Sequence, residues 1–379
     1  MKKIGYRPLF CLIILKVMNE IPYGLAPAAY IPAMLFGAIS RARNSLYEAG
    51  IFRVRRLPAP VISVGNITMG GSGKTPLVIH MARTLSRLGL KPAILTRGYG
   101  RKDQGKTIIL SGNECNTPAE IGDEPVLMRR HVPFLLMGIS KFRFEAGAAI
   151  CSKFPDSVFI LDDGFQHRKL FRDLNILMLD RSQPLAANKI FPLGNLREPL
   201  ASLRRADIIL INGGSELSDA HPDAHPIDEQ ARAINSQARF FTCRQRISSL
   251  IPFRSWAEMK NGGEVCPDAF NNTAFLVSAI GNPDRFSRDI QQCGIRIRGT
   301  RFFRDHHQLT LNDWTNCIKS AKSVNAEVII MTEKDAVKVS EIPDFPIMVA
   351  VQSTEMSDGS EFERLIEKRV KELQCATLI

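Results

Sequence analysis

Tyrosine and tryptophan are few in the 379-residue chain, five and two. Proteins that stack bases lean on such rings, and neither a zinc-finger nor an RNA-binding signature is present, so no nucleic-acid partner is expected. The eight cysteines (Cys11, Cys115, Cys151, Cys243, Cys266, Cys293, Cys317 and Cys375) lie far apart, with no C-x-x-C pair and no partnering His. That spacing excludes a disulfide framework and a cysteine-based zinc site, and reads as reduced thiols in a cytosolic compartment. A long apolar run is also missing. The stretch PLFCLIILKVMNEIPYGLAPAAYIPAMLFGAI is broken by Lys16, Glu20 and three internal prolines, so no uninterrupted segment reaches the ~20 residues that a spanning helix needs. Internal repeats and low-complexity tracts are absent as well.

What is present is positive charge and globular composition. The formal net charge is +12, with 45% apolar and 23% charged residues, which points to an anionic partner such as acidic lipid or a phosphorylated ligand. Behind the apolar N-terminal stretch come Arg41, Arg43, Arg53, Arg55 and Arg56. Apolar helix plus flanking cations suits a segment, residues 1–48, that lies in or dips into the cytoplasmic leaflet, each cation gaining about 1 kcal/mol near anionic lipid. An amphipathic helix packed on the protein's own core is the alternative.

After Arg56, short apolar runs alternate with helical stretches. Strands are expected at 60–65, 91–97, 156–163, 174–180 and 206–212; they are apolar throughout and do not alternate, as parallel strands covered on both faces do. The fold class is therefore α/β, doubly wound. From about Ser215 to Asp268 the composition turns polar, opening on an exposed connector, and the alternation then resumes with strands at 274–281, 295–303, 326–336 and 345–351, a helix from about Leu311 and a closing helix. The organisation expected is the N-terminal segment 1–48, a nucleotide-binding domain over 49–240 and a smaller α/β domain over 241–379.

The stretch VISVGNITMGGSGKTPLVIHMARTL places a β run, a glycine-rich turn and Lys-Thr ahead of a helix, the context that makes a phosphate-loop match meaningful. Thr68 stands where such loops usually start with glycine, a modest departure provided that its φ is not strongly positive. Thr68, Met69, Gly70, Gly71, Ser72, Gly73, Lys74 and Thr75 form the candidate loop: backbone N–H groups around phosphate oxygens, Lys74 on the β/γ phosphates, the Thr75 hydroxyl on Mg²⁺. Asp162 and Asp163 end an apolar strand that would run beside the first, as a second metal anchor does. Adjacent acids on a strand end point to opposite faces, so one can touch metal while the other fixes a neighbour.

Other clusters are less specific. GDEP places Asp123 and Glu124 either at a simple helix start or where a loop could face the γ-phosphate. TRGYG puts Arg97 at the carboxyl edge of the sheet, where ligands of such folds bind. Asp305, His306 and His307 could bind metal, make structural hydrogen bonds or take part in catalysis. MTEKDAVK reads as a solvated helix start.

Taken in order, VGNITMGGSGKTP, LTRGYGRK, GDEP, LDDGFQH, AIGNPDRF, RDHHQLT and MTEKDAVK closely resemble the tetraacyldisaccharide 4'-kinase family, the lipid A 4'-kinases of Gram-negative envelope synthesis. That family's phosphate loop also lacks the first glycine. The resemblance implies an enzyme on the cytoplasmic face of the inner membrane, in contact with its lipids, that moves the γ-phosphate of ATP, with Mg²⁺, to the 4'-hydroxyl of a tetraacylated glucosamine disaccharide 1-phosphate. It also implies two α/β/α domains, the first with a P-loop NTPase-like core, joined by a β linker, plus an N-terminal hydrophobic membrane helix. By the same resemblance Lys74 and Thr75 take the phosphate-loop roles, Asp123 is the base, His306 its partner, and Glu124 and Asp162 lie near Mg²⁺. Asp163, Arg97, Asp305 and Gln166 are further candidates, while the role of His307 is not fixed. The competing reading is a membrane-associated P-loop GTPase or ATPase switch, in which Thr332-Glu333-Lys334-Asp335 would serve as a guanine motif and Asp-His-His as a metal site.

Overall fold

The computed structural model describes residues 26–112, 114, 116–133, 135–183, 189–213, 226–258, 270–339 and 344–377. Residues 1–25 of the expected membrane segment, and most of the expected connector after Ser215, lie outside the described residues. In chain order the elements are α1 (Ala26–Glu48), β1 (Val61–Asn66), α2 (Lys74–Arg87), β2 (Lys91–Thr96), β3 (Ile108–Leu110), α3 (Pro118–Ile121), α4 (Asp123–His131), β4 (Leu136–Ile139), α5 (Arg143–Cys151), β5 (Ser157–Asp162), β6 (Leu174–Asp180) and β7 (Ile208–Asn212). There follow α6 (Pro226–Ile234), β8 (Arg239–Pro252), α7 (Phe253–Ala257), β9 (Ala274–Ser278), α8 (Pro283–Gln292), β10 (Ile297–Phe302), α9 (Leu311–Ser323), β11 (Val328–Thr332), α10 (Glu333–Ala336), β12 (Ile347–Met356) and α11 (Gly359–Thr377).

All twelve strands join one sheet in the order β10-β9-β11-β12-β8-β7-β6-β1-β5-β2-β4-β3. Every residue of β1 and β5 is buried, as unbroken apolar runs require. On one face Leu77, Val78, Met81 and Leu85 of α2 share a core with Ile62, Val64 and Ile160; on the other, Phe159 and Leu161 pack with Ala146 and Ile150 of α5. The expected parallel pairing of β1 with β5 is present, in the register Val64 to Asp162. The carboxyl edge of this half thus lines up Asn66, Asp162, Asp180 and Asn212 at the ends of β1, β5, β6 and β7.

The polar stretch after Ser215 holds more structure than expected. Its end forms α6, and β8 follows as the longest strand, fourteen residues. β8 lies parallel to β7 through Cys243, then antiparallel to β12 from Cys243 to Pro252. β12 in turn runs parallel to β11. The two halves therefore attach at opposite ends of a two-stranded ribbon and run toward each other, so their carboxyl edges face across the ribbon's middle. The interval from Cys243, where β7 ends, to Leu250, opposite the end of β11, is roughly 23 Å at about 3.3 Å per residue. That is room for a nucleotide and its acceptor.

α11 leaves the second half and returns to the first. Phe362, Ile366 and Val370, all fully buried, complete the core built on α2; Glu363 accepts from Arg87 Nη2 at 2.5 Å and Thr84 Oγ1 at 3.3 Å. Each such side chain contributes about 1.5–3 kcal/mol by burial.

Among the described residues no helix is long and apolar enough to cross a membrane. Residues 1–25 of the expected N-terminal membrane helix lie outside the described residues, and its described part, α1, is not such a helix. α1, with Pro32 inside it, is fixed through its second half: Arg43 Nη2 donates to Gln166 O at 2.8 Å, Asn44 Nδ2 donates to Glu198 Oε2 at 3.1 Å, and Arg168 donates to Asn44 O. Tyr30, Ile31, Met34, Leu35 and Ile39 of its first half stay more than half exposed.

Candidate functional site

The turn between β1 and α2 is shaped by backbone conformation. Gly73 sits at φ 87° just before α2, the left-handed region that disfavours a side chain, and a Cβ there would lie 2.9 Å from Gln245 Nε2. Thr68 is not among the positive-φ residues; buried, it bridges Leu196, while Met69 N donates to Asn195 O at 2.7 Å. The backbone N–H groups of Gly70, Gly71, Ser72 and Gly73 donate to no protein acceptor among the described residues. Four free donors ahead of a helix form an anion cradle.

Side chains brace this loop from beneath. Asn66 Nδ2 donates to Ser72 Oγ at 2.9 Å, and Asn66 Oδ1 accepts from Lys74 Nζ at 3.1 Å. Asn212 Nδ2 holds Ser72 O at 3.1 Å, and Asn212 Oδ1 in turn accepts from Arg285 Nη2. Arg285 begins α8 and also donates to the buried Asp180 at 2.6 Å, so the second half grips the loop through one arginine. The Thr75 hydroxyl has no hydrogen-bond partner among the described residues.

The two acids ending β5 diverge, as expected. Asp162 is buried and accepts from Thr96 Oγ1 at 2.8 Å. Burial pushes its carboxyl up to about 7, with Glu124 and Asp163 adding to the rise. Asp163, at φ 48°, turns to Lys74 Nζ at 3.3 Å and to Arg197 Nη1 at 2.9 and 3.1 Å. Desolvation alone would raise it, but those two cations hold it down at about 2.

Across the gap, Gly122 at φ 100° packs its α-carbon so close to the Tyr99 carbonyl that a Cβ would meet it at 2.7 Å. That turn presents Asp123 and Glu124 at the start of α4. Asp123 Oδ2 lies 3.2 Å from His306 Nδ1, joining the two halves. His306 sits at φ 64°, a cost of about 1–3 kcal/mol for a non-glycine residue, found mainly where function requires it. Its ring rests against Tyr99, centroids 5.2 Å apart, and its Nε2 is 3.9 Å from Asp305 Oδ2. A Cβ on Gly281 would lie 3.3 Å from that same Asp305 oxygen and 3.9 Å from Gly71 N, which puts the acid and imidazole group beside the phosphate cradle.

His307 is not brought to this group. Its Nε2 meets Asp313 Oδ2 at 3.0 Å and its ring stacks on Phe303, so it secures the start of α9. Arg97 is exposed and makes no hydrogen bond or ion pair among the described residues. Gln166 ties α1 to β1, donating Nε2 to Asn66 O at 2.7 Å.

The segment MTEKDAVK, expected to be solvated, is mostly buried. Glu333 accepts from Trp256 Nε1 at 3.2 Å and meets His131 Nε2 at 2.8 Å. Asp335, fully buried, accepts from Ala279 N, Thr332 Oγ1 and Lys338 Nζ. Lys334, read from sequence only within a solvated helix start or a guanine motif, has its Nζ 3.6 Å from Glu124 Oε1 and 3.7 Å from Asp305 Oδ1. Burial works against its charge, but Glu124, Asp305, Asp123 and Asp335 outweigh that and hold it above the usual lysine range. Arg285 lies within the AIGNPDRF motif but was given no role from sequence, and Arg197 lies in none of the quoted motifs.

The chain that carries this cradle and the Asp123–His306 pair between its halves is similar to known proteins along most of its length. A family profile described as Tetraacyldisaccharide-1-P 4'-kinase matches residues 25–371. The tetraacyldisaccharide 4'-kinase of Syntrophus aciditrophicus is 36% identical over 343 residues, covering 87% of this chain and 89% of that protein. That of Geobacter metallireducens is 36% identical over 336 residues, covering 86% and 93%. The solved structure of LpxK from Aquifex aeolicus in complex with ATP superposes with a TM-score of 0.69 at 29% identity, over 92% of this chain and 98% of that one. Matched by the family profile over residues 25–371 and by relatives 36% identical over most of both chains, this chain belongs to the tetraacyldisaccharide-1-P 4'-kinase family.

Proposed function

We propose that this chain transfers the γ-phosphoryl group of ATP to the 4'-hydroxyl of a tetraacylated glucosamine disaccharide 1-phosphate. The observation that carries the reading is the Asp123–His306 pair, 3.2 Å apart, set beside the free N–H groups of Gly70–Gly73. Those donors and Lys74 hold the β and γ phosphates; Asp123, backed by His306, receives the proton of the attacking hydroxyl. A divalent cation fits the donor set. The Thr75 hydroxyl is unpartnered among the described residues, and burial, with Glu124 and Asp163 nearby, makes Asp162 costly to ionise, which a bound cation would relieve. Thr75, Asp162 and Glu124 would hold Mg²⁺, the rest of its shell coming from phosphate and water. Bound there, the ion would neutralise charge building on the phosphates. Asp163, taken up by Lys74 and Arg197, orients the lysine.

The switch reading finds little support. Asp335, which would have to read a guanine, is fully buried and takes three hydrogen bonds. His306 and His307 face different acids, and no cluster of three metal-ligating side chains occurs among the described residues.

Residues 49–240 and 241–379 are proposed as two lobes with the β8–β12 ribbon as their linker, α11 crossing back to the first. The exposed apolar face of α1, continued by Ile51, Phe52, Val54 and Phe171 and flanked by Arg41 and Arg53, would rest on the cytoplasmic leaflet beside the site, where a lipid acceptor arrives. Removing residues 1–39 should release the protein from membranes, or leave it poorly soluble, with nucleotide binding kept. If the shortened protein still sediments fully with membranes after high-salt washing, the anchor lies elsewhere.

The activity is tested by incubating purified protein with γ-labelled ATP, with and without the disaccharide lipid. Label is expected on the lipid. Release as free phosphate regardless of lipid would overturn the reading.

A further inference from the structure

Lys334 has a role that neither the motif resemblance nor the family match assigns. Its neighbours are locked. Glu333 is held by His131, Trp256 and the Gln352 N–H, Asp335 by Ala279 N, Thr332 and Lys338. The backbone of α10 is thereby fixed against α4 and β12, and Lys334 alone of the Glu-Lys-Asp run reaches into the gap between the halves.

Its ammonium is unusual in what it lacks. Three-quarters of the side chain is withdrawn from solvent, yet it donates no hydrogen bond among the described residues. Its carboxylate neighbours stand off at 3.6 and 3.7 Å. Two other lysines of this region show the contrast: Lys338 is satisfied by Asp335 Oδ1 at 2.8 Å and His307 O at 3.2 Å, and Lys74 by Asn66 Oδ1 at 3.1 Å. A partly desolvated ammonium has three donors to place, and among the described residues no protein acceptor takes any of them. Asp305, one of its flanking acids, lies beside Gly281, which in turn borders Gly71 N, so the ammonium shares the gap between the halves with the phosphate cradle.

We infer that Lys334 is a second cation on the transferring phosphoryl group, delivered by the second half opposite Lys74. The inference rests on the kinase reading above. In phosphoryl transfer, charge spreads over three equatorial oxygens and the protein contributes chiefly position and positive charge. Lys74 approaches from the loop side; Lys334 would donate to a γ-phosphate oxygen from the acceptor side. Glu124 and Asp305 hold it there at long range without saturating it. In this role it acts as the cationic fingers that some nucleotide hydrolases supply from their own chain.

The test uses the full chain with Lys334→Gln and Lys334→Arg, and reads two quantities. The first is single-turnover transfer to the disaccharide lipid. The second is the ratio of affinities for ADP and for the β,γ-methylene analogue of ATP, which needs no acceptor. Lys334→Gln should slow transfer about 10²-fold and weaken the analogue about tenfold while ADP stays within twofold; Lys334→Arg should keep the ratio. Transfer within threefold of wild type, or equal weakening of ADP and analogue, would overturn the inference and leave Lys334 as a counter-ion to Glu124. Should the Gln variant melt early, the Arg variant decides, since loss of the ratio with the charge kept would equally overturn it. Absence of transfer by the wild type would sink the kinase reading instead, with the binding ratio still reporting on Lys334.

Discussion

Replacing Lys74 with Ala is expected to lower kcat by roughly 10²-fold or more, and Thr75→Ala by a comparable amount. The first substitution removes a positive charge from the transferring phosphate, the second the proposed metal ligand. Neither should unfold the site. Asp163, which would lose Lys74 at 3.3 Å, keeps both contacts to Arg197, and the Thr75 hydroxyl supports no other side chain. Turnover at saturating Mg²⁺ and ATP, beside a melting curve for each variant, checks this. Near wild-type turnover in both, with folding intact, would remove the loop from the mechanism.

Asp123→Asn and His306→Ala should each slow transfer strongly and leave ATP affinity within a few fold. Both are assigned to the proton of the acceptor hydroxyl and neither to the nucleotide. An ordinary aspartate, with a reference pKa of about 3.9, is a weak base; an imidazole at 3.2 Å can share the proton as it leaves. Asn keeps the shape of Asp123 at the start of α4, so a loss there speaks for proton handling. Residues that act as one unit show non-additive losses, and the double variant should be little worse than the poorer single. Single-turnover rates for the four proteins, with nucleotide affinity measured apart, decide it; if the two defects multiply in full, the residues serve different steps and the pair must be abandoned.

Strands covered on both faces were legible because burial leaves unbroken apolar runs, and β1, β2, β5 and β6 lie within a residue of the runs that predict them. β8 was not. Its sequence RFFTCRQRISSLIP alternates buried and accessible positions, a two-residue period lost in the polar average of the segment. β4 is four residues long, too short to stand out. In the site, the loop and the Asp123–His306 pair were reached through motifs, one by its local context and the other by resemblance. Lys334 and Arg285 lie in the quoted motifs MTEKDAVK and AIGNPDRF and Arg197 in none, but the roles of all three stayed hidden, because what sets each apart is a partner far along the chain: Glu124 for Lys334, Asp180 for Arg285 and Asp163 for Arg197. For the same reason Glu333 and Asp335 were read as solvated, since the groups that bury them, from His131 to Ala279, are not their sequence neighbours.

The return of α11 bears on how the chain acquires its shape during synthesis. Domains made early generally fold as they emerge from the ribosome, but here the apolar face of α2 waits for Phe362, Ile366 and Val370, which are translated after the whole second half. Until then the core that α2 shares with the sheet lacks three of its buried side chains. Maturation of the nucleotide-binding half is thus deferred to the end of translation, and a nascent chain stalled before residue 362 presents a sticky surface of the kind that chaperones hold.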